Sequence, residues 1–348
     1  MDNLKNLTKK PLFLPIFCMI LVLLINLIKS PTFFSVSVNN GVLYGRLIDI
    51  INRGSEIAIL AVGQTLVVAV SAGTDISVGS VMSLSACSCC MLLAGYGNNS
   101  VSTLVVPMAV GMLFGVLMGG VCGAFNGALV AKLKIQPMVA TLILFTAARA
   151  IGLLLCNNQI TYIRYEKYKY LGNFIPGCPI PTPVFVAILV IIVIAILLRK
   201  TALGLYIQSV GINGRAARIS GINSDVICFI CYLICGICAG IAGVVASSRI
   251  YSADSNNIGL NFELDAILAV ALGGNSLGGG KFNLSGSIIG AYTIQAITTT
   301  LLAMGVSTDK APVFKAIIVI IIVVVQAPAF KSYMAARKAQ RAQVKEAA

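Results

Sequence analysis

The stretch EIAILAVGQTLVVAVSAGTDISVGSVMSLSACSCCMLLAG, residues 56–95, decides the fold class. It contains two apolar runs, 56–72 and 78–95, each near the ~20 residues that cross a bilayer as a helix. Between them Gly73-Thr74-Asp75-Ile76-Ser77 interrupts the helical pattern with small and polar residues. The same texture continues in both directions. Further apolar runs at 11–29, 104–125, 138–156, 182–198, 226–248, 265–274, 284–304 and 312–328 bring the count to about ten. The run 265–274 is too short to span alone and reads as a half-helix leading into a Gly-rich stretch. The expectation is an all-α polytopic membrane protein, a single transmembrane domain over residues 1–348, with its helices within 11–328 and some of them broken.

Composition agrees. Of 348 residues, 58% are hydrophobic and 10% charged, against roughly 25% charged in soluble domains. The net charge of +14 is explained by cytoplasmic loops, because Lys and Arg accumulate on that side of a membrane protein. With alternating spans and the N-terminus inside, fifteen Lys and Arg fall on inner segments and eight on outer ones. That bias puts both termini in the cytoplasm of a bacterial plasma (inner) membrane and makes 331–348 a basic cytoplasmic tail, solvated or lying on anionic headgroups. No basic stripe is interleaved with aromatics, so a nucleic-acid partner is not expected.

The chain has eleven Cys and no His, which removes the commonest general base and metal ligand. Cys228, Cys231, Cys235 and Cys238 form a stripe inside an apolar run and read as small packing residues rather than a metal site. Lys5, Lys9 and Lys10 before the run Leu12–Ile28 resemble a signal peptide, but no small-residue cleavage site follows, so this is read as a retained first helix. The segment Asn275–Phe282 fails as a phosphate-binding loop: Asn275 stands where its first Gly belongs, and Phe282 follows Lys281 where Ser or Thr would hold magnesium. This chain is therefore not expected to bind ATP by that motif, and if its transport is ATP-driven, ATP and Mg are held by another polypeptide.

Polar side chains inside apolar runs are functional candidates by default. Gln64 lies in the second run. Asp75 and Ser77 lie in the break, where Asp75 serves as a helix cap, a pathway group, or both. Asn126 falls near the end of the fourth run, where Asn126-Gly127 also reads as a turn. Arg149, mid-run, needs a cavity or an acidic partner. Asn275 and Ser276 occupy a second Gly-rich break, because AVSAGTDISVGS (69–80) is weakly echoed by AVALGGNSLGGG (269–280). Paired broken helices in two halves point to a transporter substrate site, so two weakly repeated halves are expected. Gly119, Gly120, Gly123 and Gly127 permit close helix approach in lipid. The outer loop 157–181 carries Tyr162, Arg164, Tyr165, Lys167, Tyr168 and Tyr170. In the inner loop 199–225, the segment Asn213-Gly214-Arg215-Ala216-Ala217-Arg218-Ile219-Ser220-Gly221 suits a short helix with Arg215 and Arg218 on one face.

Together AVGQTL (61–66), GTDISVGSVMSLS (73–85), GAFNGALVAKLKIQPMVATL (123–142), Ala148-Arg149, VGINGRAARISGI (210–222) and LAVALGGNSLGGGKFNLSGSIIGA (268–291) carry a resemblance. In this order and spacing the chain resembles the permease subunits of bacterial ABC sugar importers, the ribose, xylose and galactofuranose type, over roughly residues 50–326. The resemblance implies a permease that works with a second permease, as homodimer or sister heterodimer. It implies an ABC ATPase docked on Gly211–Gly221, and a periplasmic or lipid-anchored sugar-binding protein that delivers a monosaccharide. It implies no covalent chemistry in this chain, with Gln64, Asp75, Ser77, Asn126, Arg149, Asn275 and Ser276 as pathway candidates, and it leans toward the galactofuranose branch. Three alternatives stay open. They are a permease for a nucleoside or autoinducer-type sugar derivative, a polytopic membrane enzyme acting on lipid-linked sugar, and an ion-coupled transporter for which Asp75 is the one good acid.

Overall fold

The computed structural model describes residues 12–29, 31–39, 41–307 and 310–326. The basic tail 331–348 and Lys5, Lys9 and Lys10 lie outside the described residues. The helices are α1 (Phe13–Lys29), α2 (Arg46–Ser71), α3 (Val78–Ala94), α4 (Met108–Gly127), α5 (Pro137–Leu155), α6 (Thr182–Lys200), α7 (Leu203–Ile219), α8 (Ser224–Ile250), α9 (Phe262–Leu272), α10 (Leu284–Ala303) and α11 (Ala311–Gln326). Each of the ten apolar runs falls on one helix, and α7 is added in the expected inner loop. Among the described residues six helices are long and apolar enough to cross a membrane: α2, α4 with the π-helical turn Ala128–Lys132, α5, α6, α8 and α10. The chain divides into two compact units, Met1–Ala296 and Ile297–Ala348. Among described residues the second holds the last turns of α10 and α11.

In the first unit α2 is the central helix. Its most apolar window is 94% buried, against 28% for α5 and α6, whose Leu142, Leu189 and Ile196 stand exposed. A soluble protein would hide such residues, whereas lipid solvates them. α2 starts at Arg46, ten residues before the run read from sequence. Its first turns carry Asp49, Asn52, Arg53 and Glu56, and the buried Glu56 forms an ion pair with Arg249 near the end of α8. The guanidinium of Arg46 lies 5.7 Å from the Phe33 ring centre. Arg46, Arg53 and Arg249, assigned to outer loops from sequence, are therefore helical. Hydropathy alone truncates α2 because it cannot see the partner that makes Glu56 tolerable in the interior.

α4 and α8 form the most extensive helix pair, and glycine is the reason. Gly119 lies against Gly236 and Gly240, and Gly123 against Gly236 and the Tyr232 carbonyl. A Cβ on Gly236 would sit 2.6 Å from the Gly123 Cα, so only hydrogen fits where the backbones cross. The other face of α8 meets α2. There Cys235 and Cys238 pack on Gly63, whose missing side chain admits the Cys235 backbone. The cysteine stripe is thus a small-residue seam.

Three connections meet in a small sheet at one end of this unit. The strands β1 (Ser37–Asn39) and β2 (Val42–Tyr44) form a separate hairpin. The sheet itself has the order β3 (Ser100–Val101), β4 (Thr161–Ile163), β5 (Ser252–Ala253), the first pair parallel and the second antiparallel. The loop after β4 is pinned by Tyr168, fully buried, whose hydroxyl lies 2.7 Å from Ser247 Oγ. At the opposite end the break 72–77, the α7 segment and the turn 273–283 come together, with Gly280 N donating to Ala69 O at 2.9 Å. The two Gly-bearing breaks read from sequence therefore touch. The segments grouped at each end are those that alternation of the spans assigns to one side.

Gly236→Ala is expected to lower the unfolding midpoint of the detergent-solubilised protein by about 1–4 °C, because overpacking costs about 1–3 kcal/mol. Gly120→Ala is expected to leave it nearly unchanged, since its Cβ would meet only the flexible Ile237 side chain at 3.3 Å. A thiol-reactive dye reads both, because ten of the eleven cysteines are buried.

Candidate functional site

The break after α2 sets a problem of backbone satisfaction. α2 ends at Ala72 in a left-handed conformation (φ 52°), its N–H still bonded to Val68 O, and α3 begins only at Val78. The residues between lie in an apolar bundle, where unsatisfied peptide groups are costly. The Gln64 amide, one α2 face below, supplies a partner at both ends. Its Nε2 donates to Asp75 O at 3.3 Å and its Oε1 accepts from Asp75 N at 2.9 Å. The Asp75 carboxylate turns inward. Its Oδ1 accepts from Ser77 N at 2.8 Å and Ser77 Oγ at 2.6 Å. From α4, Asn126 Nδ2 donates to Ser77 Oγ at 2.9 Å and reaches Asp75 Oδ2 at 3.5 Å. From α5, Thr141 Oγ1 accepts from Ile76 N at 3.2 Å.

Four of the seven candidates, Gln64, Asp75, Ser77 and Asn126, thus form one network, all at 3% exposure or less. Asp75 caps the break through an Asx-type turn, and the network is closed to solvent in this conformation. Asn126 does not begin a turn, because α4 continues through Gly127 into the π-helical turn Ala128–Lys132. Its Oδ1 remains without a partner.

The other three candidates lie elsewhere. Arg149 forms no direct ion pair among the described residues, although the Glu263 and Asp254 carboxylates lie within electrostatic reach. Its Nη1 donates to the carbonyls of Ser255, Asn256 and Ile258, the last two at 3.1 and 3.4 Å, and Ser255 Oγ returns a bond to Arg149 O at 3.0 Å. It clamps the turn between β5 and α9. That turn dips between helices until Gly259 rests on Gly79, so α9 begins inside the bundle, as a half-helix. Asn275 and Ser276 order the second break. Asn275 Nδ2 donates to Val270 O at 3.0 Å and Ser287 Oγ at 2.8 Å, and Ser276 Oγ accepts from Gly278 N at 3.2 Å. Ser287 Oγ in turn accepts from Thr65 Oγ1 at 2.7 Å, one residue from Gln64.

Sequence reasoning missed two buried acids, Glu263 and Asp265, in the first turn of α9. Glu263 is 5% exposed, and its Oε2 lies against Gly79 without a hydrogen-bond partner. The acids at the start of an apolar run are a helix-start signal that could have revealed it. Asp75 is therefore not the sole buried acid. Among the described residues no three of His, Cys, Asp and Glu come together as a group that could hold a metal ion.

The inner segment is also helical, with a break in it. α7 is interrupted at Asn213 (φ −157°, ψ 96°). The Asn213 Oδ1 then accepts from Arg215 N and Ala216 N, each at 3.1 Å, as an N-cap does. The restarted turn Gly214-Arg215-Ala216-Ala217-Arg218-Ile219 runs on through Ser220 to Gly221, which sits at φ 83°. Ala217 is buried, whereas Ile212 and Ile219 are 66% and 89% exposed. Arg218 pairs with Asp225 at 2.9 Å, as does Lys134, and Arg215 has no acidic partner among the described residues.

Asp75→Ala is expected to destabilise the protein by roughly 2–4 kcal/mol, because it strands Ser77 N and the Asn126 amide in the interior. Asp75→Asn, which keeps an acceptor oxygen, should cost less than half as much by the same thermal assay. The reverse ranking would mean that the carboxylate charge, not its hydrogen bonding, holds the break.

Known proteins share this plan. The family described as "Branched-chain amino acid transport system / permease component" matches residues 46–325. The galactofuranose transporter permease protein YtfT of Escherichia coli (strain K12) is 41% identical over 317 residues, 90% of this chain and 89% of that protein. The fructose import permease protein FruF of Bifidobacterium longum is 36% identical over 345 residues, 97% and 94% of the two chains. The ribose import permease protein RbsC of E. coli K12 is 34% identical over 299 residues, 85% and 87%. No solved structure matches. The chain is a multi-pass membrane protein, and it belongs to this family of transport-system permease components.

Proposed function

We propose that the chain is the membrane-spanning permease of an ATP-binding-cassette importer that carries a monosaccharide into a bacterial cell. Its ten apolar helices cross the inner membrane, with the half-helix α9 completed by the turn 254–261 above it. Both termini are cytoplasmic, so the small sheet faces outward and the two breaks and α7 face inward. A binding protein delivers the sugar at the sheet end. A separate ATPase holds ATP and magnesium and docks on Asn213–Gly221, and a second permease, identical or a sister, completes the pathway. The names of the relatives support the substrate class, and the 41% identity with a galactofuranose permease favours that sugar.

One observation carries the mechanism. Gly211, two residues before the Asn213 cap, is wedged against the Ala69 carbonyl and lies beside Gly280 N; a Cβ at Gly211 would stand 2.7 Å from that nitrogen. The turn offered to the ATPase is thus built directly onto the C-terminal end of α2 and onto the second break. A displacement of the turn acts on both. Five residues before Ala69 and six after it stand Gln64 and Asp75 of the Gln64–Asp75–Ser77–Asn126 network, whose opening is the step that exposes hydroxyl-matching groups to the solute. Arg149 positions the outer turn, and Asn275 and Ser276 position the inner one. The chain itself makes and breaks no covalent bond.

In proteoliposomes holding the permease, its ATPase and its binding protein, sugar uptake is expected to need ATP and to persist when an uncoupler collapses the proton gradient. Arg215→Glu should lower it about tenfold, equivalent to ~1.4 kcal/mol of lost coupling, while the chain still inserts. Arg218→Glu should lower it too, and should also loosen the Asp225–Lys134 cluster. Uptake driven by a proton gradient without the ATPase would reject the reading.

A further inference from the structure

A second polar site lies at the sheet end, apart from the Asp75 network. A cavity of about 530 Å³ opens where the turn before β3, the loop leading into β4 and the turn after β5 converge. That volume lies within the roughly 300–1,000 Å³ of small-molecule sites. Its polar lining includes Asn99, Asn158, Gln159, Tyr162, Arg164, Asp254 and Asn256. Four carboxamides, a carboxylate, a guanidinium and a phenol thus converge in one recess. Carboxamides offer a donor and an acceptor together, which matches the donor–acceptor character of hydroxyl groups, and the Tyr162 ring, 41% exposed, offers an apolar face.

The recess is built rather than incidental. The Asn99 amide bonds Gln159, joining two walls. Asp254 Oδ1 accepts from Asn256 N at 3.0 Å, which shapes the third. Asn158 adopts a left-handed backbone (φ 57°) and is held by its N–H to Leu153 O at 2.7 Å. The floor is the 254–258 turn that Arg149 clamps through three carbonyls. The side chains of Asn158 and Asn256 and the Tyr162 hydroxyl hydrogen-bond to no other described residue, so they are free for a ligand.

We propose that this recess is an outer subsite that binds a monosaccharide-sized polyol through the carboxamides of Asn158, Gln159 and Asn256, before the solute reaches the Asp75 network. The proposal rests on the sugar-import reading and adds to it a place where the permease itself recognises hydroxyl groups. Arg149 is a positioning residue here, because it holds the floor without lining the recess.

The test uses the complete transporter in right-side-out proteoliposomes. In a Cys178→Ser background, where the remaining cysteines are buried, Ser100→Cys, which lines the recess outside the three binding carboxamides, is labelled with a membrane-impermeant maleimide. D-Galactose, D-fructose and D-ribose are the probes at millimolar concentration, with glycine betaine as osmotic control. The sugar that the transporter carries should slow labelling about fivefold, as expected when most sites are occupied, and betaine should not. Gln159→Leu with Asn256→Leu should abolish that protection and lower uptake about tenfold at saturating binding protein. Labelling of Ser100→Cys in detergent-free vesicles without sugar shows that the reporter chain is folded and outward-facing, so the protection arm stands even where the leucine pair fails to insert. Uptake of a sugar that gives no protection overturns the subsite and leaves the importer reading intact. A loss of uptake in the leucine pair that traces only to weaker association of the binding protein, again without protection, overturns it as well. Absence of ATP-driven uptake of all three sugars counts against the importer reading itself.

Discussion

The structure depends on one constraint: a helix broken in a lipid-solvated bundle must find partners for every peptide group it releases. The break between Ser71 and Val78 leaves the helical ladder beside the central helix. Gln64 answers it by pairing with both the N–H and the carbonyl of Asp75, acting as a surrogate strand. Asp75 answers it again by accepting from Ser77, and Thr141 by accepting from Ile76. These bonds come from three helices and the break itself, so the arrangement exists only when α2, α4 and α5 are already in place. It follows that the polar residues and the glycines are parts of one solution. The α4–α8 crossing has to be close enough for Asn126 to reach Ser77, and Gly119, Gly123 and Gly236 permit that approach.

Lipid solvation explains why small residues carry so much of the packing. Between helices in a bilayer there is little hydrophobic gain, because lipid chains are as apolar as leucine; contact area and hydrogen bonds do the work instead. The first unit accordingly puts its large apolar side chains outward on α5 and α6 and lines its helix contacts with Gly, Ala, Ser and Cys. The Cys228–Cys238 stripe belongs to that logic. A cysteine is small enough to let α8 approach Gly63 on α2, and apolar enough to be buried without a partner.

How much of this was legible beforehand follows from the same physics. All ten apolar runs fall on helices, because lipid demands long unbroken hydropathy and single sequences display it plainly. The Gly119–Gly127 spacing pointed to close approach, and the four residues of the Asp75 network were all singled out, since a polar group in an apolar run is conspicuous. What escaped is pairing across sequence. The ten-residue extension of α2 hides behind Glu56, tolerable only because Arg249 is nearly two hundred residues away. Asn126-Gly127 has the composition of a turn, yet tertiary packing keeps α4 helical there. Arg149 suggested an acid or a cavity, and backbone carbonyls are partners that composition cannot reveal. Glu263 lies just outside the run 265–274, which begins three residues after the helix does. The inner segment was seen as a short helix, although most of α7 was not, because its Gly211 and Gly214 depress helical propensity and only the contact with Ala69 explains them.

The placement of the glycines near Ala69 also bears on how force could cross the molecule. Gly211 fits because the α2 carbonyl and Gly280 occupy the space of a side chain, and Gly279 lies against Ala72 in the same region. Three segments remote in sequence therefore meet largely through backbone atoms, with only the Ile212 side chain and the Ala72 Cβ between them. Backbone contacts of this kind have few rotamers to absorb a displacement, unlike a contact between long side chains. Asn213 breaks the helix just beyond this junction, separating the exposed turn 214–221 from a stem that buries Gly204, Ile207 and Val210. A continuous helix would tie that turn rigidly to the α7 stem. The capped kink gives the turn its own orientation, while Gly211 keeps the stem in register with both breaks.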